Sequence, residues 1–375
     1  MFDYETLRII WWLLLGVLLI GFAIMDGFDL GVGMLFRWLG HNDEERRALL
    51  ETIEPVWDGN QVWFILGGGA IFAAWPPLYA ASFSGFYIAM FLVLAALILR
   101  PVGFVFRNKL TNPQWRETWD WALFIGGFVP ALVFGVAFGN VLLGVPLRLD
   151  DELRSTYEGG FLDLLNPFGV LCGLVSVAML AMHGGVYASL KAGDPMSARA
   201  ATAARTAAIG YIVLFALAGV FLATWVEGYR IVSEINTNGP SNPLRKEVVQ
   251  EAGVWLDNYG RYPLTLLAPL AGFVGAAATF LLVRTRPGTA FVTSAIALAG
   301  TICTAGFALF PFLLPSSIAP DHSLTVWDAS SSQTTLLIMF IAALIFVPIV
   351  LAYTTWVFRV LKGKVTLEQL HKGAY

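Results

Sequence analysis

The chain has 375 residues, of which 57% are hydrophobic and only 13% charged, against roughly 25% charged in an ordinary soluble domain. A net charge of -3 and a mean hydropathy of +0.70 exclude a disordered chain, a disulfide-rich secreted module and a basic nucleic-acid binder. What remains is an all-α polytopic membrane protein with lipid around it. Cys172 and Cys303 lie far apart inside apolar runs, so they build neither a CxxC pair nor a metal cage and read as small core residues.

Ile9 to Met25 is an unbroken apolar run, and about 20 residues rising 1.5 Å each cross the hydrocarbon core. Asp3, Glu5 and a single base, Arg8, lead into it, with no small-residue cleavage pattern behind. It is therefore expected to be an anchor and not a removable signal peptide. The same criterion places spans near 8–34, 57–75, 78–100, 119–144, 166–189, 203–226, 262–283, 289–314 and 335–358, nine in all. An odd number puts the two termini on opposite sides. The loops on the N-terminal side hold seven of the 23 Lys and Arg residues and the other side holds sixteen. Because basic loops stay in the cytoplasm, the C-terminus is expected inside and the N-terminus outside. Tryptophans form a belt at each interface, Trp11, Trp12, Trp75, Trp225 and Trp327 outside, Trp38, Trp57, Trp119, Trp121 and Trp356 inside.

Short loops make consecutive helices antiparallel neighbours. The parse is two four-helix bundles plus one extra helix: residues 1–145, then 146–315 with an outer loop 227–261, then 316–375 with the ninth helix and the tail. In the outer loop, Val248, Val249 and Ala252 have helical spacing, which predicts a capping surface helix over Asn242–Val254. Trp57-Asp58-Gly59 and Trp327-Asp328-Ala329 hint at a duplication, on opposite sides of the membrane.

An ionisable residue inside a span costs about 2.5–3.5 kcal/mol on the insertion scale, so each needs a partner, water or a job. Asp26 and Asp29 share one face of the first helix; Asp58 opens the second span, Arg100 closes the third and Asp120 opens the fourth. All five are expected at one inner level of the first bundle. Two readings stand side by side. Arg100 is a structural counter-ion that holds two carboxylates, or the group is a hydrated acidic funnel admitting protons. Asp58 at a helix start also reads as a simple cap. Trp57 and Gln61, one turn apart, could hold the ring and a carbonyl of a quinone, or be an interfacial indole beside a capping amide. Gly67, Gly68 and Gly69 make a smooth stripe, ordinarily used for close helix packing and alternatively for a flat ligand. His183 is the single histidine within a span and lacks a matching ligand, which argues against haem in this chain; His41, His322 and His371 fall in loops or the tail. Phe310-Pro311-Phe312 breaks the eighth span at its outer end. No phosphate loop, dinucleotide fingerprint or nucleophile motif occurs, and no catalytic or metal-binding residue is assigned.

The order of motifs is distinctive: Asp26-Gly27-Phe28-Asp29-Leu30-Gly31, Trp57-Asp58-Gly59-Asn60-Gln61-Val62-Trp63, Phe72-Ala73-Ala74-Trp75-Pro76 and Arg100-Pro101-Val102-Gly103-Phe104. With Asn166-Pro167-Phe168-Gly169 and Lys246-Glu247-Val248-Val249, they make the chain resemble, end to end, subunit II of cytochrome bd-type quinol oxidases. The resemblance implies a heterodimer in a bacterial inner membrane, with a periplasmic N-terminus. Subunit I would bind two haems b and one haem d, oxidise quinol and reduce dioxygen to water, generating a proton motive force. Small single-span subunits could attach. For this subunit it implies no haem ligands, a share of the proton path at Asp58 and, secondarily, at Lys109 in the following inner loop, and room for a structural quinone. Val105 stands where some members carry a carboxylate, which turns attention to intake through Asp26 and Asp29. A free-standing secondary transporter is the alternative that nine spans, proline breaks and buried carboxylates equally permit.

Overall fold

The computed structural model describes residues 2–368; His371 lies outside the described residues. The first helix, α1 (Tyr4–Leu39), starts where the Asp3 carboxylate accepts the Thr6 N–H at 3.0 Å and overruns the expected first span at both ends. Then come α2 (Asp43–Glu51), α3 (Trp57–Ala74), α4 (Pro76–Gly85), α5 (Tyr87–Phe106) and α6 (Pro113–Leu143). The second half holds α7 (Pro167–Lys191), α8 (Met196–Thr224), the short α9 (Asp257–Arg261), α10 (Leu267–Leu282), α11 (Pro287–Leu309) and α12 (Gln333–Val360). Among the described residues, eight helices are long and apolar enough to cross a membrane, α10 counted with the turn before it. α3 falls short of that mark because Asp58, Asn60 and Gln61 crowd its first turns. The span expected near 78–100 is two helices, α4 and α5, meeting at Phe86.

In the first half α1 packs on α3 and α6, and α5 packs on α6; in the second, α7 packs on α8 and α11, and α10 on α8 and α11. The two groups join where α1 and α6 meet α7. Small residues make that junction. A methyl group on Gly184 would lie 2.4 Å from the Gly31 carbonyl carbon, and one on Gly127 would lie 2.6 Å from the Leu30 carbonyl oxygen. Backbone therefore touches backbone on both flanks of α1, and its 26–34 stretch is wedged between α6 and α7. α12 stands apart: of its described residues only Leu336 is buried.

The face that carries the N-terminus is closed by three two-stranded antiparallel hairpins: β1 (Leu147–Leu149) with β2 (Ser155–Tyr157), β3 (Glu227–Ile231) with β4 (Val248–Ala252), and β5 (Phe312–Leu314) with β6 (Leu324–Thr325). The helix expected over 242–254 is instead strand β4. Val248 pairs with Ile231 and Ala252 with Glu227, and the β-branched pair Val248-Val249 suits a pleated, half-buried ribbon better than a helix. Fully buried Arg8 ties this cap to α1, donating to the carbonyls of Thr237 (2.5 Å) and Gly239 (3.1 Å) and to the hydroxyls of Ser241 (2.9 Å) and Ser330 (2.8 Å). Lys246 lies 2.9 Å from Asp328 and donates to the Pro243 carbonyl at 2.7 Å. Burial pushes the Lys246 ammonium below its ordinary range, while Asp328 opposes the shift. Asp58 and Asp328 thus have unlike surroundings, one exposed and one buried beside a lysine. The Phe310-Pro311-Phe312 break stands as expected, with α11 ending at Leu309 and β5 beginning at Phe312.

Candidate functional site

Asp26 and Asp29 lie in the wedged stretch of α1, three residues apart and fully buried. Arg100, near the end of α5, reaches them: its Nη1 donates to the two Asp26 oxygens at 3.0 and 3.2 Å, and its Nη2 lies 3.9 Å from Asp29 Oδ2. Asn60 on α3 donates Nδ2 to Asp29 Oδ2 at 2.8 Å. Asp29 Oδ1 and Arg100 Nη2 are buried without a hydrogen-bond partner. Two carboxylates share one guanidinium, so the group has one more acid than base. An unmatched charge in a dry interior is costly. The orphaned atoms together with the charge mismatch make the group a place where a proton or a water can be held.

Asp120 does not belong to this group. It is fully buried against Arg107, 2.5 Å from its Nε, and against Arg46 Nη1 at 2.8 Å. Arg107 also bonds Asp43 at 2.9 Å, Arg116 pairs with Asp43, and Arg37 pairs with Glu117, which lies 3.2 Å from Arg46. Four arginines and three carboxylates thus bind α1, α2, α6 and the end of α5 into one lattice. The expected single inner level is in fact two clusters, because Arg107, seven residues beyond Arg100 on the same helical run, takes Asp120 for itself. Arg107, Arg46 and Asn60 are not among the expected site residues. An arginine two turns beyond another on one helix was the available signal for the first.

Glu45 of α2 accepts both guanidinium nitrogens of Arg199 on α8 at 2.9 Å, together with the His41 backbone N–H at 2.8 Å. Arg199 also donates to the Leu39 carbonyl. The Arg199 hydrogen bonds hold the Glu45 carboxyl below the ordinary carboxylate range. A carboxyl lowered in the folded state contributes stability that is complete above its unfolded value and lost as the pH falls through its folded value. Thermal melting of the purified protein should therefore weaken on acidification through the carboxylate range, and Glu45→Gln should flatten part of that slope. An unchanged slope would remove Glu45 from the account.

Asp58 and Lys109 are exposed, and neither makes a side-chain hydrogen bond or ion pair among the described residues. Asp58 is not a cap: α3 starts from Val56 with no side-chain cap bond. Trp57 is half-buried with its ring 5.7 Å from that of Phe104, and Gln61 is half-buried without a hydrogen bond among the described residues. An apolar cavity of about 440 Å³ is bounded by Trp12, Trp63, Gly67, Gly68, Phe134 and Gly306, among others. A methyl group on Gly67, Gly68 or Gly69 would meet nothing within 4 Å, so the glycine stripe is not a packing face of this chain. Both cysteines are partly buried, and Cys303 borders this cavity.

His183 is fully buried with Nδ1 2.7 Å from Ser294 Oγ and Nε2 3.0 Å from the Ile24 carbonyl, so both ring nitrogens are engaged. No group of three His, Cys, Asp or Glu side chains able to hold a metal occurs among the described residues.

The family model for cytochrome bd terminal oxidase subunit II matches residues 7–361. The chain is 52% identical over 376 residues to the cytochrome bd-I ubiquinol oxidase subunit 2 of Escherichia coli (strain K12), covering 100% of this chain and 99% of the relative. It is 48% identical to the probable cytochrome oxidase subunit 2 of Haemophilus influenzae, with the same coverage, and 33% identical to the cytochrome bd ubiquinol oxidase subunit 2 of Bacillus subtilis, covering 97% and 98%. In fold it is similar to a chain of the bd oxidase from Geobacillus thermodenitrificans, with a TM-score of 0.66 at 15% identity, covering 95% of this chain and 98% of that one. Full-length agreement in sequence and fold leaves a single assignment: the chain belongs to the family of cytochrome bd terminal oxidase subunit II.

Proposed function

We propose that this chain works as the second subunit of a membrane-bound quinol:dioxygen oxidoreductase, in an obligate heterodimer with a haem-bearing subunit I, and that it brings protons toward the site of oxygen reduction. The complex uses haem. We place the two haems b and the haem d in subunit I, since the one buried histidine here has no nitrogen to give iron. Quinol and dioxygen are the substrates of the complex, and small single-span subunits are further partners. A structural quinone would lie against Trp57 and Gln61 or in the cavity beside Gly67 and Gly68, where there is open apolar volume. No observation favours a free-standing transporter.

The observation that carries the proton role is the buried Asp26–Arg100–Asp29–Asn60 group close to an exposed carboxylate in sequence. Asp58 is open to solvent and two residues from Asn60, which bonds Asp29 directly. A proton captured at Asp58 has the Asn60–Asp29 pair as its next station deeper in the bundle, and exposed Lys109 in the following loop is a further candidate for the path. Asp58→Asn should leave assembly and the haem spectrum unchanged while slowing quinol-driven oxygen uptake by about a hundredfold, the lower end of the range for removing an acid–base group. Uptake at the parent rate across pH would overturn the proton role.

The excess of basic residues on the side of the C-terminus sets that terminus in the cytoplasm and the β3–β4 hairpin in the periplasm of a bacterial inner membrane. Glu234→Cys, at an exposed position of the intervening loop, should react with an impermeant thiol reagent added from the periplasmic side. Reaction only after the cytoplasmic side is opened would reverse the topology.

A further inference from the structure

At the other end of the molecule from the hairpins, the ends of α7 and α12 enclose a second cavity of about 400 Å³. Its floor is aromatic, formed by Tyr187, Phe291 and Phe358, and its rim is basic, formed by Lys191, Lys362 and Lys364. The floor is fixed. Tyr187 stacks on Phe28 with ring centres 3.9 Å apart and spends its hydroxyl on the Thr52 carbonyl at 2.9 Å, which leaves ring surface for the cavity. The rim is fixed at one point, where Lys191 Nζ donates to the Leu361 carbonyl at 2.5 Å and lies 3.4 Å from that of Gly363. The Gly193 N–H donating to the Val365 carbonyl at 2.9 Å and the Val365 N–H donating to the Lys191 carbonyl at 2.8 Å clip the chain after α12 to the end of α7.

The cavity lysines differ from five arginines of this face. Arg37, Arg46, Arg107, Arg116 and Arg199 are each matched by a carboxylate. None of the three cavity lysines has one within ion-pair distance among the described residues. Their bearing on a ligand follows from depth. Both helices span the membrane and end here, so the rim lies at the level of lipid headgroups and the aromatic floor at the level of the first acyl carbons. The volume is that of a small-ligand pocket.

We infer that this cavity is a binding site for one anionic phospholipid, its phosphodiester held by Lys191, Lys362 and Lys364 and its upper acyl chain laid on Phe291 and Phe358. Lys191 cannot swing away because the end of α12 holds it, whereas Lys362 and Lys364 are exposed and close over the phosphate. A zwitterionic lipid would bring its own cation into a ring of cations and be disfavoured. The occupant is a lipid and not a free phosphate, since the floor offers only ring surface to what lies beneath the headgroup.

The test uses the purified heterodimer, stripped of lipid and offered phosphatidylglycerol or phosphatidylcholine, with bound lipid read by native mass spectrometry. One phosphatidylglycerol should be retained in preference to phosphatidylcholine. At roughly fivefold per lysine near a membrane surface, the Lys362→Gln/Lys364→Gln variant should retain it about 25-fold more weakly. These side chains make no structural bond, so the variant should fold; Arg261→Gln, an exposed charge on the opposite face, should change nothing. Equal retention of the two lipids, equal loss in Arg261→Gln, or displacement by millimolar inorganic phosphate would overturn the proposal. So would protection of Lys362 and Lys364 from an acylating reagent in the stripped heterodimer, which would mean that a partner subunit covers the cavity.

Discussion

Arg100→Met should leave little intact protein in the membrane. Among the described residues Arg100 is the only base within ion-pair distance of Asp26 and Asp29, both fully buried, and removing one partner of a buried pair costs about 3–5 kcal/mol because the remaining charge has lost both water and counter-ion. Against a total stability of about 5–15 kcal/mol that loss is large. The effect should be lopsided in a diagnostic way. Arg100→Lys keeps the charge but not the two-nitrogen fork that reaches Asp26 and Asp29 together, so it should recover part of the loss. Arg100→Met combined with Asp26→Asn removes the charge that Arg100 neutralises and should recover more than either change alone predicts. Yield of the detergent-extracted heterodimer and its thermal midpoint measure all three. A midpoint for Arg100→Met at the parent value would mean that the carboxylates are hydrated and the guanidinium dispensable.

The spans were legible because lipid leaves a chain few options: a helix must satisfy its own backbone, and the apolar runs from Ile9 and Leu336 declare this over their whole length. The pairing of Arg100 with Asp26 and Asp29 was legible for a similar reason, since charges so rare must find one another. What periodicity could not decide was the hairpin at Val248, where a short apolar pattern fits a strand or a helix and the pairing strand lies 17 residues earlier, at Ile231. The separate fate of Asp120 was hidden too, because depth along a helix says nothing of azimuth, and only the packing of α2 brings Arg46 and Asp43 beneath it. Asp58 shows the converse. A carboxylate at a helix start carries the signature of a cap, yet Val56 precedes α3 without one and Asp58 is left facing solvent.

Glycines that look alike in the sequence should respond to substitution in opposite ways, and Gly184 and Gly68 make the sharpest pair. At Gly184 even a methyl group would lie 2.4 Å from the Gly31 carbonyl carbon, which is backbone and cannot turn aside. α1 would have to leave α7, and with it would move Asp26 and Asp29. Overpacking of a tight contact costs about 1–3 kcal/mol when side chains can yield, so Gly184→Ala should meet or exceed that and Gly184→Leu should yield no assembled heterodimer. Gly31→Ala, with its methyl group 2.1 Å from the Leu180 carbonyl oxygen, should behave as Gly184→Ala does. At Gly68 the added group meets open space, and alanine also favours a helix by about 1 kcal/mol over glycine. Gly68→Ala should therefore melt at or above the parent temperature, while Gly68→Leu should fill part of the cavity and lower the quinone that copurifies with the complex. The two readings separate cleanly. If Gly184→Leu assembles and melts like the parent, the backbone contact between α1 and α7 is wrong. If Gly68→Leu is stable and keeps its full quinone content, the fold stands and the quinone lies outside this cavity.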